Sequence, residues 1–195
     1  MLTRRNVLEG AAAVVGLAAV GGVGVAFAGE TAPLRPPGAQ DEEHFIGTCI
    51  RCDRCRTACP TGAIGVATVE DGFVNMRTPK MEFLLGPCDE CGGEYRCAEV
   101  CPVGSILPFD KTTEKMGMAV IDPNVCLTYG ISGSCSADCI PACPEEALSI
   151  NEEGRLVLNE DACWGCGACE YYCVSDSYGS YEAAGHRGIS IVREG

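Results

Sequence analysis

Cysteine is the residue type in this sequence with the most chemistry to offer. The chain of 195 residues contains 16 cysteines, about 8% of the total, a density that is typical of proteins built around sulfur chemistry. All of them fall into four groups of four, and none is left over. The groups are Cys49-Cys52-Cys55-Cys59, Cys88-Cys91-Cys97-Cys101, Cys126-Cys135-Cys139-Cys143 and Cys163-Cys166-Cys169-Cys173. This grouping indicates four related thiolate sites.

The first group has regular Cys-x2-Cys-x2-Cys-x3-Cys spacing and is followed by Pro60. In this arrangement three closely spaced thiolates wrap one 4Fe–4S cluster, and the fourth cysteine ligates a neighbouring cluster. The proline suits a short helix, since the first helical turn does not need its missing N–H. The fourth group repeats the spacing with Val174 in place of proline, and the two middle groups are variants followed by Pro102 and Pro144. The motifs, at 49–60, 88–102, 126–144 and 163–173, therefore predict four 4Fe–4S clusters.

Other uses of cysteine fit the pattern less well. An even number of cysteines in an exported chain suggests disulfides, but cysteines separated repeatedly by only two residues have poor disulfide geometry. Zinc ribbons separate their cysteine pairs by longer gaps and often include histidine. Covalent haem requires Cys-x-x-Cys-His, and no cysteine here precedes a histidine. The spacing therefore favours iron–sulfur clusters over disulfides, zinc and haem.

The remaining residues offer little for catalysis. The two histidines, His44 and His186, are too few and too isolated to form a catalytic site. The sequence also has no dinucleotide-binding Gly-x-Gly-x-x-Gly unit and no phosphate-binding loop. We therefore predict an electron carrier with no catalytic residues and no small-molecule substrate, not an enzyme.

The formal net charge of −13 limits the partners. Nucleic acid binding demands a basic surface, so this class of partner is disfavoured. An acidic surface fits a partner protein with a basic docking face, although it can also serve solubility alone.

The N-terminal region carries a targeting signal. Arg4 and Arg5 precede an apolar stretch that ends in Ala26-Phe27-Ala28, the three parts of an export signal. We predict a twin-arginine signal peptide over residues 1–28, cleaved after Ala28. A retained membrane anchor is the alternative. Residues 29–40 are rich in proline and are expected to form an extended tether, so that the folded part starts near Asp41.

Short apolar segments surround the cysteine motifs. The segments at 119–122, 156–159 and 189–192 alternate with turn residues and predict short strands. Each motif thus forms a unit of strand, cysteine loop, short helix and strand. We predict an α+β fold over residues 41–195, with two ferredoxin-like two-cluster domains.

The pairing of the motifs has two solutions. Nested pairing joins the first with the fourth and the second with the third, and it is favoured because it matches the two regular motifs and the two variant motifs. Sequential pairing joins the first with the second and the third with the fourth. The gap from Cys143 to Cys163, which suits a ferredoxin hairpin, supports this second solution.

The chain resembles the MauM/NapG ferredoxin-type proteins, which are exported polyferredoxins. The resemblance is carried by the twin-arginine start, the segment 34–39, the two regular and two variant motifs, and the segment 116–120. It implies that all sixteen cysteines are cluster ligands. The chain departs from the family pattern at Val174 and in the gap from Leu127 to Ser134, which is longer and richer in glycine than usual.

The resemblance also implies a place for the protein in the cell. Such proteins work in the periplasm or at the outer face of the cytoplasmic membrane. They take electrons from a membrane-bound quinol-oxidising iron–sulfur protein and pass them toward a terminal oxidoreductase, such as nitrate reductase. One alternative is a fixed electron-transfer subunit, of the beta type, in a molybdenum oxidoreductase complex. Another is a purely structural role for the clusters.

Overall fold

The computed structural model describes residues 32–129, 135–175 and 187–193. The predicted signal peptide, His186 and most of the gap between Cys126 and Cys135 lie outside these residues. Within the described ranges, no helix is long and apolar enough to cross a membrane.

Five short α-helices are present in the described residues, with two 3-10 helices, Val69–Asp71 and Glu90–Gly93. The bounds of the α-helices are α1 Glu42–Thr48, α2 Arg54–Ala58, α3 Arg96–Glu99, α4 Cys139–Ala142 and α5 Ala168–Tyr171. Asp41 caps the start of helix α1: its side chain accepts a hydrogen bond from the backbone N–H of His44 at 3.0 Å, which stabilises the helix. Helices α2 to α5 each contain the third cysteine of one motif. Each cysteine motif therefore supplies one turn of helix.

Three two-stranded antiparallel sheets lie between the helices in this part of the chain. The strands are β1 Ile64–Val66, β2 Pro79–Met81, β3 Met118–Ile121, β4 Leu148–Ile150, β5 Leu156–Leu158 and β6 Ile189–Val192. Strand β1 pairs with β2, β4 pairs with β5, and β3 pairs with β6 in the register Ile121 to Ile189. The strands that the sequence predicted near 119–122, 156–159 and 189–192 are confirmed as β3, β5 and β6. The mixed α and β content agrees with the predicted fold class.

The hydrophobic core has two parts that meet at the fourth motif. One part contains Phe45, Phe83 and Phe109 from the first half of the chain, together with Trp164 and Cys166 from the fourth motif. The second part gathers the buried residues of the third and fourth motifs with those of β3 and β5. The two halves therefore share a core, because the fourth cysteine loop packs against both.

Glycine makes this close packing possible. Gly167 has a φ of +77°, and a Cβ atom there would lie 2.1 Å from the ring of Phe83. A Cβ on Gly165 would lie 2.5 Å from the carbonyl oxygen of Gly117. No side chain fits at either position without displacing backbone or an aromatic ring, so the loop of the fourth motif lies directly on the first half.

Residues 35–39, within the segment expected to form a tether, are part of the folded structure. Residues 35–39 are all buried, and Arg35 is only 1% exposed. The Arg35 guanidinium donates hydrogen bonds to Glu42, Thr78 and the carbonyl oxygen of Pro79. The structure therefore differs from the predicted start near Asp41. Proline-rich composition is typical of linkers, and two of the contacts that order this segment, with Thr78 and Pro79, come from more than forty positions away.

Candidate metal centres

The sixteen cysteines line four cavities, each with four thiols. Cavity A is lined by Cys49, Cys52, Cys55 and Cys101, cavity B by Cys59, Cys88, Cys91 and Cys97, cavity C by Cys143, Cys163, Cys166 and Cys169, and cavity D by Cys126, Cys135, Cys139 and Cys173. The space between protein atoms in cavities A to D is about 330, 320, 320 and 340 Å³. Cavities of equal size and equal thiol number indicate four copies of one kind of site.

The cavities decide how the motifs pair. Each is lined by the first three cysteines of one motif and the fourth cysteine of another. The first motif exchanges its fourth cysteine with the second, and the third exchanges with the fourth. Nested pairing, which the sequence favoured, is therefore wrong. The similarity of spacing between motifs does not determine their pairing, because pairing depends on which helices pack together: α2 packs against α3, and α4 packs against α5.

The thiols are not arranged for disulfides or for single ions. All sixteen are free. Among the residues that the structure describes, no three histidine, cysteine, aspartate or glutamate side chains come close enough together to hold one metal ion. Four thiols spread around a cavity are the donor set that a multinuclear cluster requires.

The backbone of the four motifs repeats residue by residue. Two positions before the third cysteine, each motif has a left-handed residue: Asp53, Tyr95, Ala137 and Gly167, with φ of 61°, 46°, 54° and 77°. Only one of the four is glycine, and a left-handed conformation is uncommon for other residues. Three residues after the fourth cysteine, the backbone is again left-handed at Gly62, Gly104 and Glu146.

This repeated conformation has a chemical consequence. Alternation between right-handed and left-handed residues turns successive N–H groups toward one side, which forms a concave site for an anion. A cluster with four thiolate ligands is an anion, so the strain at Asp53, Tyr95 and Ala137 is offset where such a group is bound. The repeated backbone thus fits the same occupant that the thiols fit.

Burial controls the protonation of the thiols. Desolvation by burial raises the pKa of Cys55, Cys88 and Cys139 to about 12 and that of Cys166 to about 11. Free thiolates are therefore disfavoured at neutral pH, and these thiols would release their protons on binding a metal. For Cys101 burial acts in the same direction, but hydrogen bonds from Ser105 and nearby backbone N–H groups outweigh it and lower the pKa.

Hydroxyl groups lie beside several of the sulfur atoms. Ser105 Oγ is 3.2 Å from Cys101 Sγ, and Ser175 Oγ is 3.1 Å from Cys173 Sγ. Both serines are buried, at 3% and 5% exposure. Neither serine was predicted from the sequence as part of a site, although Ser105 stands four positions after Cys101 and Ser175 two positions after Cys173.

Cavities B and C are in direct contact through the backbone. The N–H of Cys88, which lines cavity B, donates to the carbonyl oxygen of Cys166, which lines cavity C, at 2.8 Å. Lys111 bridges the same junction with two ion pairs. Its Nζ lies 2.7 Å from Oε1 of Glu90, which lines cavity B, and 2.6 Å from Oε1 of Glu145, which lines cavity C. The two halves are therefore connected where their inner sites meet.

Trp164 lies at this junction as well. Its side chain is 3% exposed and lines cavity C. The centroid of its ring lies 6.1 Å from that of Phe109. Its buried Nε1 has no hydrogen-bond partner among the described residues. Buried donors without partners are rare in native proteins. A sulfur atom held in cavity C would be a suitable acceptor for the indole N–H of Trp164.

Comparison with known proteins agrees with the geometry. A family model of the 4Fe-4S dicluster domain matches residues 48–105 and 133–177, more than half of the chain. The first match spans both motifs of cavities A and B, and the second spans the motifs of cavities C and D from Cys135 onward. The fold and the sites thus define a ferredoxin-type iron–sulfur protein.

Several named proteins share most of this sequence. The chain is 33% identical over 192 residues to the methylamine utilization ferredoxin-type protein MauM of Paracoccus denitrificans, covering 89% of this chain and 84% of the relative. It is 35% identical over 182 residues to the ferredoxin-type protein NapG of Escherichia coli, covering 82% and 75%. A further MauM, from Methylophilus methylotrophus, is 37% identical over 153 residues, covering 72% and 66%. The chain belongs to the MauM/NapG ferredoxin-type family, and the resemblance inferred from sequence is confirmed.

Proposed function

We propose that the chain binds four 4Fe–4S clusters, one in each of cavities A to D, and carries electrons along them. The observation that carries this proposal is the arrangement of sixteen thiols around four equal cavities. All sixteen cysteines serve as ligands, three from one motif and one from its partner for each cluster. A bound cluster of this kind takes up and releases one electron, with a potential that its surroundings set.

The protein's own residues fix the order of the four cavities and shield the inner ones from water. Cavities A and B are linked by exchanged cysteines, as are C and D, and the contact between Cys88 and Cys166 links B to C. This gives the order A, B, C, D. Burial in a shared core keeps water from the inner sites and holds neighbouring ligands in fixed positions, which is what rapid electron transfer requires of a protein.

We further propose the cellular role that the family resemblance implies. The chain is exported by the twin-arginine route and relays electrons from a membrane-bound quinol-oxidising iron–sulfur protein toward a terminal oxidoreductase. Since this export route carries folded proteins, the clusters are assembled before export. A mobile relay is expected to be a stable monomer when purified. A fixed subunit of a larger enzyme would instead expose a sizeable apolar interface and associate.

The test is the metal content and redox behaviour of anaerobically purified protein. We expect about sixteen irons and sixteen acid-labile sulfides per chain, since each of four clusters holds four of each. Electron paramagnetic resonance during a redox titration should show reduced-cluster signals at potentials that a quinol can reach. Iron at a quarter of this content or less would contradict the proposal, and clusters that cannot be reduced would leave only a structural role.

Ser105 gives a specific prediction for the potentials. A hydroxyl that donates to a ligand sulfur stabilises the more negative, reduced cluster, so its removal should lower the potential. We expect Ser105→Ala to lower the potential of the cluster in cavity A by an amount on the order of tens of millivolts. Ser136→Ala is the control, because Ser136 is exposed and its hydroxyl donates to Asp138 and not to sulfur. Equal shifts in the two variants would contradict this role for Ser105.

A further inference from the structure

One of the sixteen cysteines differs from the others in exposure. Cys52 is exposed, whereas the other fifteen are buried or half-buried. It lines cavity A together with Ile50 and Val103, whose side chains are 59% and 41% exposed. The wall of cavity A at this point is thus a thin layer of apolar side chains and one ligand, with solvent beyond it.

A surface groove runs beside Cys52. It has about 860 Å³ of space and lies between helices α2 and α3, where its walls include Cys52, Arg54, Glu99 and Cys101. Cys52 and Cys101 also line cavity A. A partner seated in this groove would therefore contact two of the four ligands that surround that cavity.

The charge around this groove is opposite to that of the whole protein. Arg51, Arg54 and Arg56 are exposed, and none of them forms an ion pair with a described carboxylate. Arg77 is also exposed and pairs with Asp53 at 3.7 Å. Arg51, Arg54 and Arg77 thus lie beside two carboxylates, Asp53 and Glu99, a local excess of positive charge on a chain whose formal net charge is −13.

Arg51 also brings a second apolar segment to this surface. Its guanidinium donates to the carbonyl oxygens of Val74 and Met76 at 3.0 and 3.1 Å. Phe73, Val74 and Met76 are 62%, 53% and 39% exposed. The segment 73–76 thus extends the apolar area that begins at Ile50, with arginines at its edge.

We propose that this surface, formed by Ile50, Arg51, Cys52, Arg54 and Val103 and here termed the cavity A face, docks an acidic electron-transfer protein. The proposal rests on the electron-transfer function proposed above and identifies cavity A as the end at which electrons cross to or from that partner. The partner carries carboxylates around its own redox centre. Sequence charge alone had indicated the opposite, a partner with a basic docking face.

The composition of the cavity A face suits transient recognition of another protein. Protein interfaces combine an apolar centre with a polar rim, and interfaces of redox proteins are small. Complementary charge mainly accelerates encounter and excludes wrong partners. The basic rim selects an acidic protein, and the apolar centre over Cys52 lets the two redox centres approach closely.

The test uses plant-type ferredoxin, a small acidic iron–sulfur protein, as the probe. Its affinity for the intact protein with its clusters is measured by titration calorimetry with both proteins oxidised, so that this readout needs no electron transfer. The rate of reduction by reduced ferredoxin, one electron per molecule, is measured by stopped flow. We expect Arg54→Glu to weaken binding and slow reduction about tenfold at low ionic strength.

The matched control is Arg155→Glu, which makes the same charge change at an exposed arginine on the β4–β5 hairpin. We expect this variant to change either quantity by less than about twofold. Equal effects of the two substitutions, or no measurable binding by the unaltered protein, would overturn the docking proposal. Iron content is measured on each sample, and a loss of iron in the unaltered protein would instead overturn the proposed function.

Discussion

Simultaneous replacement of Cys49 and Cys101 with alanine is expected to remove one cluster, not two. The two residues belong to different motifs, but both line cavity A. Once one ligand is lost and the cluster with it, the loss of the second costs nothing further. We expect iron to fall by about four per chain, and each single variant to lose the same amount as the double variant, which is strong non-additivity.

The control pair also removes one cysteine from each of the first two motifs, but these two cysteines line different cavities. Cys49 lines cavity A and Cys88 lines cavity B, so Cys49→Ala with Cys88→Ala should remove about eight irons. Iron and acid-labile sulfide are measured on anaerobically purified protein, and size-exclusion chromatography establishes that each variant is folded. A loss of about eight irons from the Cys49 and Cys101 pair would refute sequential pairing.

Arg35→Met is expected to produce the largest loss of stability outside the cysteines. Arg35 is 1% exposed, and its guanidinium donates to Glu42, Asn75 and Thr78 at 2.5 to 3.0 Å. It also lies 4.7 Å from the centroid of the Phe45 ring. Removing the guanidinium leaves the buried Thr78 hydroxyl without this donor and leaves the half-buried Glu42 with one cation, Arg193, in place of two. We expect a loss of about 3 kcal/mol.

The measurement follows from the cofactor. Proteins with bound clusters do not unfold as simple two-state systems, so the quantity to compare is the rate at which cluster absorbance is lost in urea under argon. We expect Arg35→Met to accelerate this loss at least tenfold, since each 1.4 kcal/mol corresponds to a factor of about ten.

Arg77→Met is the control for Arg35. Arg77 is 66% exposed and lies 3.7 Å from Asp53, which is itself 39% exposed. Exposed ion pairs contribute little, so its replacement should change the rate less than about twofold. If Arg35→Met behaved like Arg77→Met, residues 35–39 would be a tether after all.

The contacts of Arg35 also explain why composition misled the expectation for this segment. Pro36 and Pro37 restrict the backbone in the same way whether the segment is a free linker or, as here, a turn in which the N–H of Ala39 donates to the carbonyl oxygen of Pro36 at 3.0 Å. A linker and a fixed segment differ in whether the segment has residues to bind. Here Arg35 binds Thr78 and Pro79, which are more than forty positions away in the chain. No local pattern contains that information.

The sequence by itself determined the kind of site. Groups of cysteines spaced by two or three residues specify the loops that wrap a cluster, because ligand reach and backbone turns are local properties. For the same reason, strands β3, β5 and β6 could be predicted from short apolar segments and their turns. The membership of the MauM/NapG family also followed from these motifs together with their flanks.

Only the tertiary structure decided which thiols share a cavity. The exchange of Cys59 and Cys101 between cavities A and B depends on how α2 and α3 cross, and that depends on packing. The junction of Cys88 with Cys166 and the bridge formed by Lys111 likewise join residues that are far apart in sequence. The local excess of arginine beside Cys52 was hidden in a strongly acidic total, because net charge is a sum over the chain, whereas a docking partner meets only the charges on one face.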